Sequence, residues 1–166
     1  MAIDTLAVCR PEPNWRTLFP EVDGWIAGAP EQDLDAQSLI VGSNGRADVA
    51  LSYAEFCWPS FVVVDDMVLR GYVGSVDLEE AVQYWLKIAE GNKLRVEWML
   101  NHEHFWHLMQ NCPPTAEVAM HWGQLVREMW TAKLARDFPS RRFEVELHSG
   151  PDVERMDHQI TFFELR

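Results

Sequence analysis

Positive charge is scarce in this chain. Fourteen Lys and Arg stand against 26 Asp and Glu, a formal net charge of −12. Phosphate backbones are bound by clustered Lys and Arg, so nucleic acid is not an expected partner, and neither is an anionic membrane surface. A basic protein partner suits this charge, as does plain solubility. Cysteine is scarce as well. Cys9, Cys57 and Cys112 are odd in number and form no CxxC, which excludes a disulfide framework or zinc knuckle and points to a reducing compartment. The opening "MAIDTLAVCRPEP" has no basic stretch followed by an apolar run, and nowhere do about 18 apolar residues follow one another. No signal peptide and no transmembrane helix are therefore expected, and the cytoplasm is the expected location. Specific motifs are missing too. There is no GxGxxG, no Walker-type GK[ST], no GxSxG elbow and no HExxH.

What is present is apolar content of 48% and eight tryptophans, enough for a sizeable core. Residues 1–45 hold Pro11, Pro13, Pro20 and Pro30 with Gly24, Gly28, Gly42 and Gly45. That density breaks long regular elements, yet Trp15, Phe19, Trp25 and Ile26 are too apolar for a disordered tail. The expectation is an acidic, irregular arm over 1–45 packed on a single domain over 46–166, with a short strand at "SLIVG" and a helix cap at Ser43 or Asn44.

Within 46–166, Ala47, Ala50, Leu51, Ala54 and Phe56 suit a short helix that stops before Pro59. "FVVVDDMVLRGY" reads as a hairpin turning at Asp65-Asp66, a poorer turn than Asp-Gly. "GYVGS" is a connector. Asp77 caps a helix with Leu78, Val82, Trp85, Leu86 and Ala89 on its apolar face, and Gly91 supplies the left-handed stop. Asn92 caps the next helix, expected from Lys93 to Met109 and ended by Asn111 and Pro113-Pro114. A fourth helix runs from Thr115 towards Pro139, with Val118, Trp122, Leu125, Met129 and Ala132 on one face at steps of four and three. "RRFEVELH" alternates, with Phe143, Val145 and Leu147 on one face, and "HQITFFELR" is a closing strand antiparallel to it. The sum is an α+β fold, its antiparallel sheet made from two hairpins and packed against three to four helices.

The chemistry-bearing residues centre on "NHEHFWHL". On one continuous helix, His104 and His107 lie close together and Glu103 stacks above His107, while His102 points towards Trp98 and Trp106. A metal site then needs a ligand from the next helix, where His121 and Glu117 sit at i and i+4. His104, His107 and His121 are the candidate metal ligands, and Glu103 and Glu117 the candidate acid–base residues. The competing and commoner role of such residues is packing between helices, so no cofactor is expected, and a divalent metal belongs to the alternative reading. Asp65-Asp66 reads as a turn before it reads as a carboxylate pair. Arg127, Lys133, Arg136, Arg141 and Arg142 form the one basic gathering, and Arg141 with Arg142 are the candidate anion-binding pair. Cys57, between Phe56 and Trp58, reads as buried.

The layout "CWPSFVVVDDMVLRG … NHEHFWHL … FPSRRFEVEL" resembles that of uncharacterised small acidic bacterial proteins over roughly residues 50 to 165. The resemblance implies a bacterial cytoplasmic protein and carries no activity or site. Two functional classes follow. One is a non-enzymatic binding or interaction protein with an acidic surface, immunity-like by analogy. The alternative is a metal-dependent enzyme with its His/Glu site on two helices.

Overall fold

The computed structural model describes residues 45–71, 77–109, 114–150, 152–154 and 157–166. Contacts group Arg46–Arg166 as one compact unit. The expected arm, the 38–42 strand, the Ser43/Asn44 cap, most of the GYVGS connector and the helix stop at Asn111 to Pro113 lie outside the described residues.

Helix α1 (Ala47–Cys57) starts at Arg46 without a side-chain cap, and ends where Trp58 turns out of the helix ahead of Pro59. Strands β1 (Phe61–Val64) and β2 (Met67–Arg70) pair antiparallel around a two-residue turn. Asp65 and Asp66 both have positive φ, 47° and 63°, the twist that matches a tight hairpin. Asp enters this left-handed region more easily than most residues because its short side chain bonds locally. Helix α2 (Leu78–Ile88) is capped by the Asp77 carboxylate, which accepts from Glu79 N–H and Glu80 N–H. It stops through Gly91, at φ 80°, whose N–H donates to Leu86 O at 2.8 Å. Helix α3 (Lys93–Leu100) is capped by Asn92 through Arg95 N–H.

Here the structure departs from the expected Lys93–Met109 helix. α3 ends at Leu100; a two-residue strand β3 (Glu103–His104) and a single turn α4 (Phe105–Leu108) follow. The break is set by Asn101. Its side chain donates to Val68 O and Phe162 O at 3.0 and 3.1 Å and accepts from Arg70 N–H at 3.0 Å. An Asn side chain that bonds elsewhere, with poor helix propensity of its own, gives the helix no reason to continue.

Helix α5 (Ala116–Asp137) is capped by Thr115. Strands β4 (Phe143–His148) and β5 (Gln159–Glu164) form the expected antiparallel pair. The fold class is α+β, but the two hairpins do not share a sheet. β1–β2 stands alone, and the second sheet has the order β3-β5-β4. The short β3 pairs with β5 through Glu103↔Ile160 and His104↔Gln159.

The buried stripe of α5 is also displaced from the expected one. Ala119, Gly123, Val126, Trp130, Lys133 and Leu134 are buried, whereas Val118, Trp122, Leu125 and Met129 are half-buried and Ala132 is exposed. The spacing is still helical, but the stripe runs one position over. Its first turns carry small residues, Ala119 and Gly123, because Leu147 and Phe105 come close there. A Cβ on Gly123 would stand 2.7 Å from Leu147 Cδ1 and 2.8 Å from Phe105 Cε2. Lys133 buries its stem, as long cationic side chains can, and pairs with Asp137. The main core joins this stripe to Phe105, Val145, Ile160 and Phe162; a second cluster of Met67, Leu69, Val82, Ala89 and Val96 lies between the hairpin and helices α2 and α3.

The gap between the two sheets is closed by side chains of α3. A two-residue hairpin pairs Val64 with Met67, so the backbone groups of Val68 and Arg70 point away from β1. Glu97, fully buried, accepts from Val68 N–H at 2.8 Å through Oε1 and from Glu164 N–H at 3.0 Å through Oε2. Asn101, one turn on, joins Val68 and Arg70 to Phe162. These two side chains stand where a neighbouring strand's backbone would otherwise satisfy both edges. Arg166 closes the network with two bonds to the Glu97 carboxylate, at 2.9 and 3.0 Å.

Candidate functional site

The break after α3 decides the geometry of the histidines. His102 leaves the helix with its ring stacked on Trp98, centroids 5.3 Å apart and planes 17° from parallel, and a ring nitrogen bonds the Gln159 side chain. His104 lies on β3 against His102 at 4.6 Å and against His107 at 5.3 Å. Trp106 closes on His107 at 4.9 Å. The result is a continuous row of five rings, Trp98–His102–His104–His107–Trp106. The separation of His102 from the other two, expected from helical spacing, does not hold. A strand and a turn bring all three into contact.

The row extends across the sheet. His104, Gln159 and His148 are consecutive cross-strand partners, and such partners share a face. The neighbouring His158 is buried, with Nδ1 2.7 Å from Ser149 Oγ and Nε2 without a hydrogen-bond partner among the described residues. Five of the six histidines therefore gather at one end of the β3-β5-β4 sheet.

The carboxylates do not join them as expected. Glu103 alternates with His104 on β3 and pairs with Arg70, so it does not stack on His107. Glu117 is exposed in the first turn of α5, and His121 is half-buried one turn further. Among the described residues no group of three or more His, Cys, Asp or Glu is placed to hold a metal ion, so His104, His107 and His121 do not converge with Glu103 or Glu117 into one site.

Arg141 is engaged inside the fold. Its Nε lies 2.8 Å from Glu164 Oε1, its Nη2 bonds the other carboxylate oxygen, and Nη2 also donates to Asp66 O. The Glu164 carboxylate holds the guanidinium above its ordinary value, and the guanidinium in turn holds Glu164 below the usual carboxylate range. Arg142 is exposed at the start of β4, so the expected anion-binding pair is divided. Asp65 and Asp66 serve the turn, with Lys93 Nζ donating to Asp65 O at 2.7 Å. Cys57 is half-buried, and burial pushes its thiol up.

Sequence reasoning assigned no role to Glu97, Asn101, Arg70 and His158. Their one signal is a polar residue at a position whose neighbours two or four places away are buried, as Arg70 follows Val68 and Asn101 follows Glu97.

Burial pushes the His158 imidazole below its ordinary value, aided by the positive charge of a nearby His148 and opposed by Asp157. The fold thus favours the neutral ring. Between the depressed folded value and the ordinary 6.5, the unfolded chain binds more protons, so stability rises with pH across that window. Glu164, depressed below 4.5, contributes stability that is present above 4.5 and lost as pH falls through its folded value. The expected melting temperature falls between pH 7 and pH 5.5, and His158→Gln removes most of that slope. A wild-type profile that is flat over this range contradicts the assignment.

Comparison with protein-family models, with curated proteins and with solved structures finds no match. Class and function therefore rest on the fold and its surface. No helix among the described residues is long and apolar enough to cross a membrane.

Proposed function

We propose that the chain is a non-enzymatic binding protein that presents an acidic, tyrosine-centred surface to a basic protein partner, immunity-like by analogy in its acidic charge. The supporting observation is the outer face of α2. Glu80, Tyr84 and Ile88 follow at intervals of four and line one face. Tyr84 is 61% and Ile88 46% exposed, Glu80 is exposed, and Glu79 and Glu90 flank them. Tyr is among the residues that carry interface energy, and a charged rim steers a partner of opposite sign.

The charge distribution supports the same reading. Arg70, Lys93, Lys133, Arg141 and Arg166 are each paired with a carboxylate of the same chain. These five cations are thereby used internally, while acids such as Glu79, Glu80, Glu144 and Glu146 face solvent, with the cations Lys87, Arg95, Arg127 and Arg142 exposed among them.

The test is a pull-down from cell extract with immobilised wild type and with Tyr84→Ala. A basic partner should be retained at low salt and released as ionic strength rises. Tyr84→Ala should weaken its binding at least about tenfold, since central interface tyrosines contribute on the order of 2 kcal/mol, with the melting temperature unchanged. Retrieval of nothing at low and moderate salt, or equal retention by the variant, overturns the proposal.

A further inference from the structure

We propose that the cleft between α1 and the ends of β2 and β3 is a binding site for a small zwitterion, an α-amino acid with an apolar side chain, whose carboxylate is held by Arg70 and whose ammonium is held by Glu55 and Glu103.

Arg70 carries the proposal. Its side chain is only 9% exposed, and its guanidinium sits over the rings of Trp130 and Phe56, 5.2 and 5.6 Å from their centroids. A guanidinium has five N–H donors. Here only Nη2 is used within the fold, in the ion pair with Glu103. Nε is buried without a partner among the described residues. Most buried polar groups are satisfied, and an unsatisfied charged donor is the costly exception, so it requires an explanation. Arg70 also lines a cleft of about 540 Å³, from which a carboxylate could approach the guanidinium.

The cleft's other walls specify the acceptor. Glu103 and Glu55 line it as well. Glu103 uses one carboxylate oxygen for Arg70, and Glu55 uses one, Oε1, for the backbone N–H and hydroxyl of Ser60 at 3.2 and 3.1 Å. Each keeps a second oxygen free of hydrogen bonds among the described residues. One guanidinium and two carboxylates give the cleft a net negative charge, so a simple anion meets repulsion and a simple amine leaves Arg70 without its acceptor. A molecule that carries an ammonium and a carboxylate on one carbon answers all three groups, and charge-assisted bonds of this kind are the strong ones. The remaining wall is apolar, with Phe56, Pro59, Leu108 and Leu51. Leu51 is 71% exposed, an apolar surface on the rim that a ligand side chain would cover.

The site is independent of the α2 surface, so the two proposals fail separately. The experiment compares three probes of matched shape by thermal shift and calorimetry on the full chain: L-leucine, 4-methylpentanoate without the amine, and 3-methylbutylamine without the carboxylate. L-leucine should raise the melting temperature, with a stabilisation that grows as the logarithm of its concentration above Kd, and each single-charge probe should bind at least about tenfold more weakly. Glu55→Gln, at an exposed position, should fold normally and weaken L-leucine about fivefold or more, because a charged partner contributes more than a neutral one, while 4-methylpentanoate, relieved of one repelling carboxylate, should bind no more weakly than to the wild type. Arg70→Lys, which keeps the charge but loses the fork, should weaken both carboxylates. No stabilisation by L-leucine at about 10 mM, where even millimolar affinity registers, overturns the proposal. Equal binding of L-leucine and 4-methylpentanoate overturns the zwitterion, and indifference to both substitutions overturns the location.

Discussion

Glu97→Ala should lower the unfolding free energy by about 3–5 kcal/mol, the scale for breaking a buried, hydrogen-bonded charge pair from one side. The buried Val68 N–H and the half-buried Glu164 N–H lose their acceptor, the buried one at a cost of about 1–3 kcal/mol. Arg166, which is 30% exposed, can turn to solvent or stay with Glu164 at 3.1 Å, so it contributes the smaller share. Glu97→Gln should cost less, because its amide oxygen still serves one of the two donors. Urea unfolding reads this as a shift of midpoint at constant slope. A loss below about 1 kcal/mol for Glu97→Ala would show that the two sheets are joined by something other than this side chain, since one ordinary hydrogen bond accounts for that much.

Phe105→Ala is the second large effect, about 3–5 kcal/mol for truncating a buried aromatic. Phe105 is fully buried and lies 5.3 Å from Trp122 between ring centroids. It fills the space that Gly123 leaves open on α5, and its N–H donates to His158 O at 3.0 Å. It is thus the anchor of the segment that carries His104 and His107. Besides the loss of stability, amide exchange across 102–108 should accelerate more than exchange in α2, because the segment has lost its one deep side chain. Phe105→Leu, which keeps most of the volume, should cost markedly less. Uniform acceleration in both segments would mean that Phe105 stabilises the whole fold without specifically holding the histidine row.

The elements that were legible in the sequence are those whose cause is local. The hairpin at Asp65-Asp66, the Asp77 and Asn92 caps, the Gly91 stop and the alternation of Phe143, Val145 and Leu147 all appear where neighbouring residues place them. Hydrogen bonds over three or four residues, turn chemistry and period-two burial need no distant partner. The α5 helix itself was legible, but its buried stripe was not. Bulky apolar residues marked Trp122 and Met129 as inward, whereas the close approach of Phe105 and Leu147 selected Gly123 and placed Ala119 and Val126 beside it.

By itself, then, the sequence determined the α+β class, most element boundaries outside 101–109, and an acid-rich chain with few spare cations. Tertiary structure decided the candidate sites. Asn101 leaves α3 only because Val68, Arg70 and Phe162 offer it backbone partners from two sheets. That break turns a supposed helix into a strand and a turn, gathers the three histidines, and sends Glu103 to Arg70. The side chains that decide these placements bond across 29 to 69 residues. A reading based on periodicity sees only residues a few places apart, and therefore has no term for such bonds.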